Sequence, residues 1–247
     1  MTGRSYPPTT TNFSPAILNL LFSHHHALLY CELSRILKEL YLIAIFDAGG
    51  KMSRMITSLS SQEISCQQVM VADSSIFSIQ WTDIPVTIAG ALSAEQLLLS
   101  YIGYIRKCTL ALIRPKVLKS GIEFRLLWTG ISLISFLPPV YSDDFATLHI
   151  CGGFLIQPHH CDRGELRFGV EHLPGSIRVS LQLSDFCPLI LGSHSPSLIR
   201  FWLYSFTQAA IHRLVTVRFL SMLYHELAGP TAGVKIVNVA VKSGKPV

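Results

Sequence analysis

The stretch GFLIQPHHCDRGELRFGVEHLPG, residues 153–175, places His159, His160, Cys161, Asp162 and Glu165 within seven positions. Two kinds of chemistry suit such a set. A metal centre needs three or four ligands converging on one point. Adjacent side chains in an extended segment point to opposite sides, so His159 and His160, or Cys161 and Asp162, do not share one ion. No metal is expected here. Proton transfer needs less, and His159 with Glu165 would form an acid–base pair if the strand that Glu165 opens lines the mouth of a cavity. Against this stands a simpler reading. Leu166, Phe168 and Val170 alternate with Glu165, Arg167 and Gly169. If the apolar set faces a helix, Glu165 faces solvent and the cluster is a polar turn at the sheet edge.

Elsewhere the chemical signals are weaker. No GxSxG elbow or phosphate-binding glycine loop occurs, and FDAGGK lacks the spacing of one. His212, His225 and Glu226 fall in a helical pattern where ion pairing and helix-end charge account for them. Trp202, Tyr204 and Phe206 suggest an aromatic ligand box, although Trp202 and Phe206 at helical spacing equally suit a core. The six cysteines (31, 66, 108, 151, 161, 187) include no CxxC pair, so free thiols are expected and no disulfide.

The elements that would hold these residues follow from composition and pattern. Of 247 residues, 49% are hydrophobic and only 14% charged, so much apolar surface must be covered by a core, a cavity, a partner or a membrane surface. The net charge of +5 is spread out, which argues against nucleic acid as a partner. The best apolar run, Leu126–Val140, is too short for a spanning helix and ends in two prolines. With no secretory signal pattern at the N-terminus, a cytoplasmic location is expected.

Residues 1–12 are Pro/Thr-rich, a helical pattern lies within 14–46, and MSRMITSLSSQEISCQQ reads as a linker. Residues 1–55 therefore read as a partly helical or disordered appendage, as sequence ahead of a later start at Met52 or Met55, or as an ordinary helix docked on the body. The main domain is expected over 70–245. SIFSIQW and IPVTIAG look like short strands around a Thr-Asp turn, and SAEQLLLSYIGYIRK opens as a helix with Ser93 as its cap. Several β-type segments follow, and 164–170 with 176–184 predict an antiparallel hairpin around LPGS. Last comes a helix over 197–227, with an apolar stripe at 198, 202, 206, 209, 210, 214, 217, 220 and 223. That stripe predicts burial of Phe206 and Leu214 against a sheet.

This order, with GF…PHHCDRGELRFGVE…GSIRVSLQLSDFCP ahead of the helix, resembles the START-like, helix-grip superfamily of polyketide cyclase and lipid-transfer type. Within it the segment is similar to a bacterial and plant branch that carries Gly-Phe, a His and Gly-Glu-x-x-Phe-x-Val in this order. The matching residues are Gly153, Phe154, His159, Gly164, Glu165, Phe168 and Val170, and Gln208 falls near a glutamine of the branch's helix. The Tyr-Gly-Thr that follows Gly-Phe in the branch is missing, and the likeness covers about residues 120–225. It implies an α+β fold, with an antiparallel sheet wrapped around a long C-terminal helix. It also implies a small hydrophobic molecule bound in a cavity between the two, against Phe154, Phe168, Trp202, Tyr204 and Phe206, with no cofactor. The alternative is a cyclase or isomerase acting on a polyketide-like or terpenoid-like substrate in secondary metabolism, where His159, Glu165 and Tyr204 would move protons. A third class is an interaction or membrane-surface protein. Oligomeric state is left open.

Overall fold

The structure, a computed structural model, describes residues 61–157, 163–192, 197–229 and 233–247, apart from the side chains of Phe206 and Thr207. All of these lie in the second of two units into which the chain divides, Met55–Val247. The expectations for residues 1–55 lie outside the described residues.

The described chain is α+β, with one large and mostly antiparallel sheet. In chain order its strands are β1 Gln62–Met70, β2 Ile76–Pro85, β3 Ile113–Leu118, β4 Gly121–Leu126, β5 Ser132–Phe136, β6 Val140–Tyr141, β7 Phe145–Gly152, β8 Glu165–Leu173, β9 Ser176–Phe186, β10 Val234–Asn238 and β11 Lys245–Pro246. The spatial order is β10-β1-β2-β9-β8-β7-β5-β4-β3, with β11 beside β1 and β6 beside β7. The one parallel pairing among them joins β1 to β10. The helices are α1 Val86–Ala89, α2 Ala94–Cys108, α3 Leu198–Tyr204 and α4 Ala210–Ala228, the last two joined by a π-helical turn, Ser205–Ala209.

The β8–β9 hairpin forms as its alternation predicts, Glu165 opposite Ser184 through to Leu173 opposite Ser176. Gly175 supplies φ 82° at the turn, a conformation that costs glycine nothing sterically. Ser93 caps α2 as expected. Its hydroxyl accepts from the Gln96 amide while the Gln96 side chain accepts from the Ser93 amide, a reciprocal capping box. Losing such a cap costs about 1 kcal/mol. Ser93→Ala should therefore lower the thermal midpoint by roughly 2–4 °C, the shift that energy produces in a domain of this size. Calorimetry checks this, and an unchanged midpoint would show that the cap is idle.

Three local expectations are corrected. The described end of the Ser/Gln-rich stretch read as a linker, residues 62–68, forms most of β1, and its glutamines are used by the fold. Gln67 accepts from the Val241 and Lys242 amides and donates to the Lys242 carbonyl. The two short strands around Thr82-Asp83 are one continuous strand, β2. Thr82 donates to the Glu63 carbonyl at 2.9 Å, and Asp83 accepts a bidentate pair of bonds from Arg178 on β9 at 2.7 and 2.8 Å. VTIA, read as part of a strand, is the short helix α1 that follows Pro85.

A further correction concerns the C-terminal helical run, which packs on β1, β2 and α2. Ala209, Val217, Leu220 and Leu223 of the expected stripe are buried, but Leu198 and Trp202 are 71% and 55% exposed and Leu214 is only half-buried. Phe201 and Tyr204 point inward instead. The π-turn explains the change. It fits an extra residue into one turn, so α3 is rotated by about 100° relative to a regular helix continued back from α4. The burial expected of Phe206 lies outside the described side chains.

Among the described residues no helix is long and apolar enough to cross a membrane.

Candidate functional site

The sheet has one face covered by helices and one turned away from them. Alternation assigns Leu166, Phe168 and Val170 of β8 and Ile177, Val179, Leu181 and Leu183 of β9 to the covered face, and all are buried. Phe168 is fully buried and meets Tyr101 of α2, ring centroids 5.2 Å apart. Tyr101 in turn meets Phe219 of α4 edge-on at 5.1 Å. Aromatic contacts thus tie sheet, α2 and α4 together, in the offset and edge geometries that ring quadrupoles favour.

The same face changes character on β1 and β2. Cys66 and Gln68 alternate with Gln67, and Ser78, Gln80 and Thr82 alternate with Ile79 and Trp81, so the middle of these strands puts polar residues on the covered face, between the buried Ile64, Ile76 and Ile84. Cys66 lies opposite Gln80 and Gln68 opposite Ser78. All five are buried, with Ser78 and Gln80 wholly so. Gln80 donates to the Ser78 hydroxyl at 2.8 Å. Burial pushes the Cys66 thiol up, and the nearby Arg213 guanidinium offsets part of the shift.

Above this polar strip runs the helical segment, and its direction is fixed by contacts at both ends. Phe201 of α3 lies 3.7 Å under the Lys245 ammonium, and Lys245 pairs with Met70 at the end of β1. Arg213 of α4 bonds Asn238, which sits opposite Cys66. Later residues of α4 reach α1, just beyond the end of β2. The run therefore travels from the Met70 end of β1 toward its Gln62 end, carrying Gln208 between the Phe201 and Arg213 markers.

Tyr204, Gln208, His212 and Thr216 recur at four-residue intervals along this run. Burial pushes the Tyr204 phenol up and holds the His212 imidazole down to about 4, so the ring is neutral at pH 7. Burial likewise raises the Tyr101 phenol, with the Thr216 hydroxyl in hydrogen-bonding reach offsetting a little of the shift. No charged side chain among the described residues is buried.

Of the residues singled out from sequence, Phe168 and Tyr204 are in this interior, Phe154 is half-buried in the turn after β7, and Trp202 is exposed. Glu165 projects from the opposite sheet face, where it accepts a 3.0 Å bond from Arg167. His159, His160, Cys161 and Asp162 lie outside the described residues. Arg163, which follows them, pairs with Asp73 in the β1–β2 turn. The Asp73 carboxyl is held well below the usual carboxylate range, first by the Ser75 hydroxyl and then by Arg163. Cys66, Cys108 and Cys187 are free thiols. Among the described residues no three His, Cys, Asp or Glu side chains gather as a metal site would require.

Gln68 and Gln80 were missed from sequence. A glutamine alternating with Ser, Thr and Cys in a strand looks like a linker unless its neighbours on the other parity are apolar, as Val69, Ile79 and Trp81 are here.

No family model matches the chain, and no curated protein matches it. Among solved structures it is similar to CalU16 from Micromonospora echinospora, at 12% identity over 73% of this chain and 80% of that one, with a TM-score of 0.33. It is also similar to the Aha1 dimer from Colwellia psychrerythraea, at 16% identity over 61% of this chain and 96% of that one, TM-score 0.33. A Bordetella parapertussis protein is 14% identical over 72% of this chain and 86% of its own, TM-score 0.31.

Proposed function

We propose that this domain binds a small, largely apolar molecule between the sheet and the helical run α3–α4, with the sheet gripping that run. The observation that carries the reading is the division of the covered sheet face. Its β8 and β9 half is aliphatic and aromatic, its β1 and β2 half sets Gln68, Ser78, Gln80 and Thr82 among Ile64, Cys66, Ile76 and Ile84, and both halves are buried. A face that served stability alone would be aliphatic throughout, because each buried polar group left unpaired costs about 1–3 kcal/mol. A mixed face suits a ligand with an apolar body and a polar end. The element order supports the same reading in part: two strands, helices, an antiparallel run and the helical run match what the START-like resemblance implies, whereas β10 and β11 follow the helix that was expected to be last.

Proton-transfer catalysis is not favoured by the described side chains. Glu165 lies on the far face of the sheet and is engaged by Arg167. The test is a native mass spectrum of the chain purified from its own host. A carrier should appear above the 27.4 kDa of the bare chain, by the mass of one small organic molecule. A bare chain that also takes up no apolar dye would overturn the proposal.

A further inference from the structure

The polar strip contains more hydrogen-bonding capacity than the protein uses. Four buried amide atoms find no partner among the described residues: Nε2 of Gln68, Oε1 of Gln80, and both Nε2 and Oε1 of Gln208. Gln68 and Gln80 are diagonal neighbours on β1 and β2, since Gln80 faces Cys66 and Gln68 faces Ser78. Gln208 sits in the π-turn, on the part of the helical run bracketed by Phe201 at the Met70 end and Arg213 beside Cys66. Gln68 and Gln80 thus share one region of the sheet without satisfying each other, and Gln208 is left equally unpaired on the helical run that packs there.

Buried amides left in this state are rare in folded proteins, and π-turns concentrate at functional positions. Were the three glutamines only filling the core, the first two would pair with their neighbours completely and the third would sit in a regular turn.

Resting on the small-molecule reading above, we infer that Gln68, Gln80 and Gln208 form the recognition site for the polar end of the ligand, and that this end carries both a hydrogen-bond donor and an acceptor. The requirement comes from the residues. Whichever way the Gln208 amide is turned, it presents one N–H end and one carbonyl end, so a ligand offering acceptors alone leaves the carbonyl unpaired. A carboxylate is such a ligand. A primary amide, with two N–H donors and a carbonyl that accepts twice, satisfies all the free atoms.

The experiment uses the full chain stripped of bound lipid, with the neutral apolar dye N-phenyl-1-naphthylamine as reporter and dodecanamide and dodecanoate as competitors at pH 7.5. Dodecanamide should displace the dye at a concentration about tenfold or more below that of dodecanoate, the ratio expected when one buried amide bond is made or lost. In Gln80→Met and Gln208→Met the dye should still bind, and the two competitors should become equivalent. Gln208→Met should not lower the thermal midpoint of the stripped protein, because an apolar side chain of similar shape removes an uncompensated polar burial, whereas Gln80→Met also gives up the bond to Ser78. Equal competition in the unaltered chain, or a preference that survives both substitutions, overturns the inference while the dye binding leaves the small-molecule reading standing. A fall of several degrees in the Gln208→Met midpoint also overturns it, since that amide would then be paired within the fold. Failure of the dye to bind the unaltered chain overturns the reading beneath it as well.

Discussion

Replacing Phe168 by alanine should cost the domain about 3–5 kcal/mol, the range for removing a fully buried aromatic ring. Phe168 is 0% exposed and its ring bridges the sheet to α2 through Tyr101, which continues the contact to Phe219 of α4. The loss therefore combines apolar burial, a cavity and one link of an aromatic chain. Set against the roughly 5–15 kcal/mol that holds a domain folded, it is enough to leave a marginal or unfolded protein. Urea denaturation followed by circular dichroism measures it. Trp202→Ala is the control, because Trp202 is 55% exposed, and it should stay within about half a kcal/mol. A Phe168→Ala variant within 1 kcal/mol of the parent would mean that sheet and α2 do not pack as described.

Acid should weaken the domain in a window set by His212. Burial holds its folded-state pKa down to about 4, whereas an unfolded chain titrates near 6.5. Between these values the unfolded chain takes up a proton that the folded chain refuses. The contribution is fully present above about pH 6.5, and it is lost progressively as pH falls toward 4. At about 1.4 kcal/mol per pH unit, and allowing for the partial exposure of the residue, the loss reaches about 2–3 kcal/mol. His212→Gln cannot titrate and should flatten the stability profile between pH 6.5 and 4. Asp73 acts elsewhere: its depressed carboxyl pKa removes stability only below the ordinary carboxylate range, so the two effects separate on the pH axis. A parent profile that is already flat from pH 6.5 to 4 would show that His212 is protonated in the folded state.

The parts of the fold that could be read from sequence are those where local pattern and tertiary setting agree. Leu166, Phe168 and Val170 against Ile177, Val179 and Leu181, joined by Pro174-Gly175, announce a hairpin with one covered face, and the hairpin forms. Ser93 announces a helix start. The segments that misled share a different physics. In β1 the polar residues are used from both sides, so no alternation survives. In β2 a Thr-Asp pair that suits a turn is held straight by Glu63 and Arg178 across two strand pairings. The π-turn has no recognised signature in residue type, yet it decides that Phe201 and Tyr204 rather than Leu198 and Trp202 face the interior. The candidate site was legible only in part for the same reason. Phe168 and Tyr204 stand out as large apolar residues, while Gln68 and Gln80 acquire meaning once β1 and β2 pair.

The pairing of β1 with β10 and β11 has a consequence for synthesis. Gln62–Met70 leaves the ribosome early, but the strands that close its outer edge, Val234–Asn238 and Lys245–Pro246, are translated last among the described elements. At about 5–20 residues per second the gap lasts roughly ten to thirty seconds. Through that interval the backbone groups along one side of β1 await their partners, and an open strand edge recruits other chains. The newborn polypeptide is thus vulnerable to clumping until those two strands have emerged. A holdase that shields Gln62–Met70 during that delay would raise yield without touching the finished molecule.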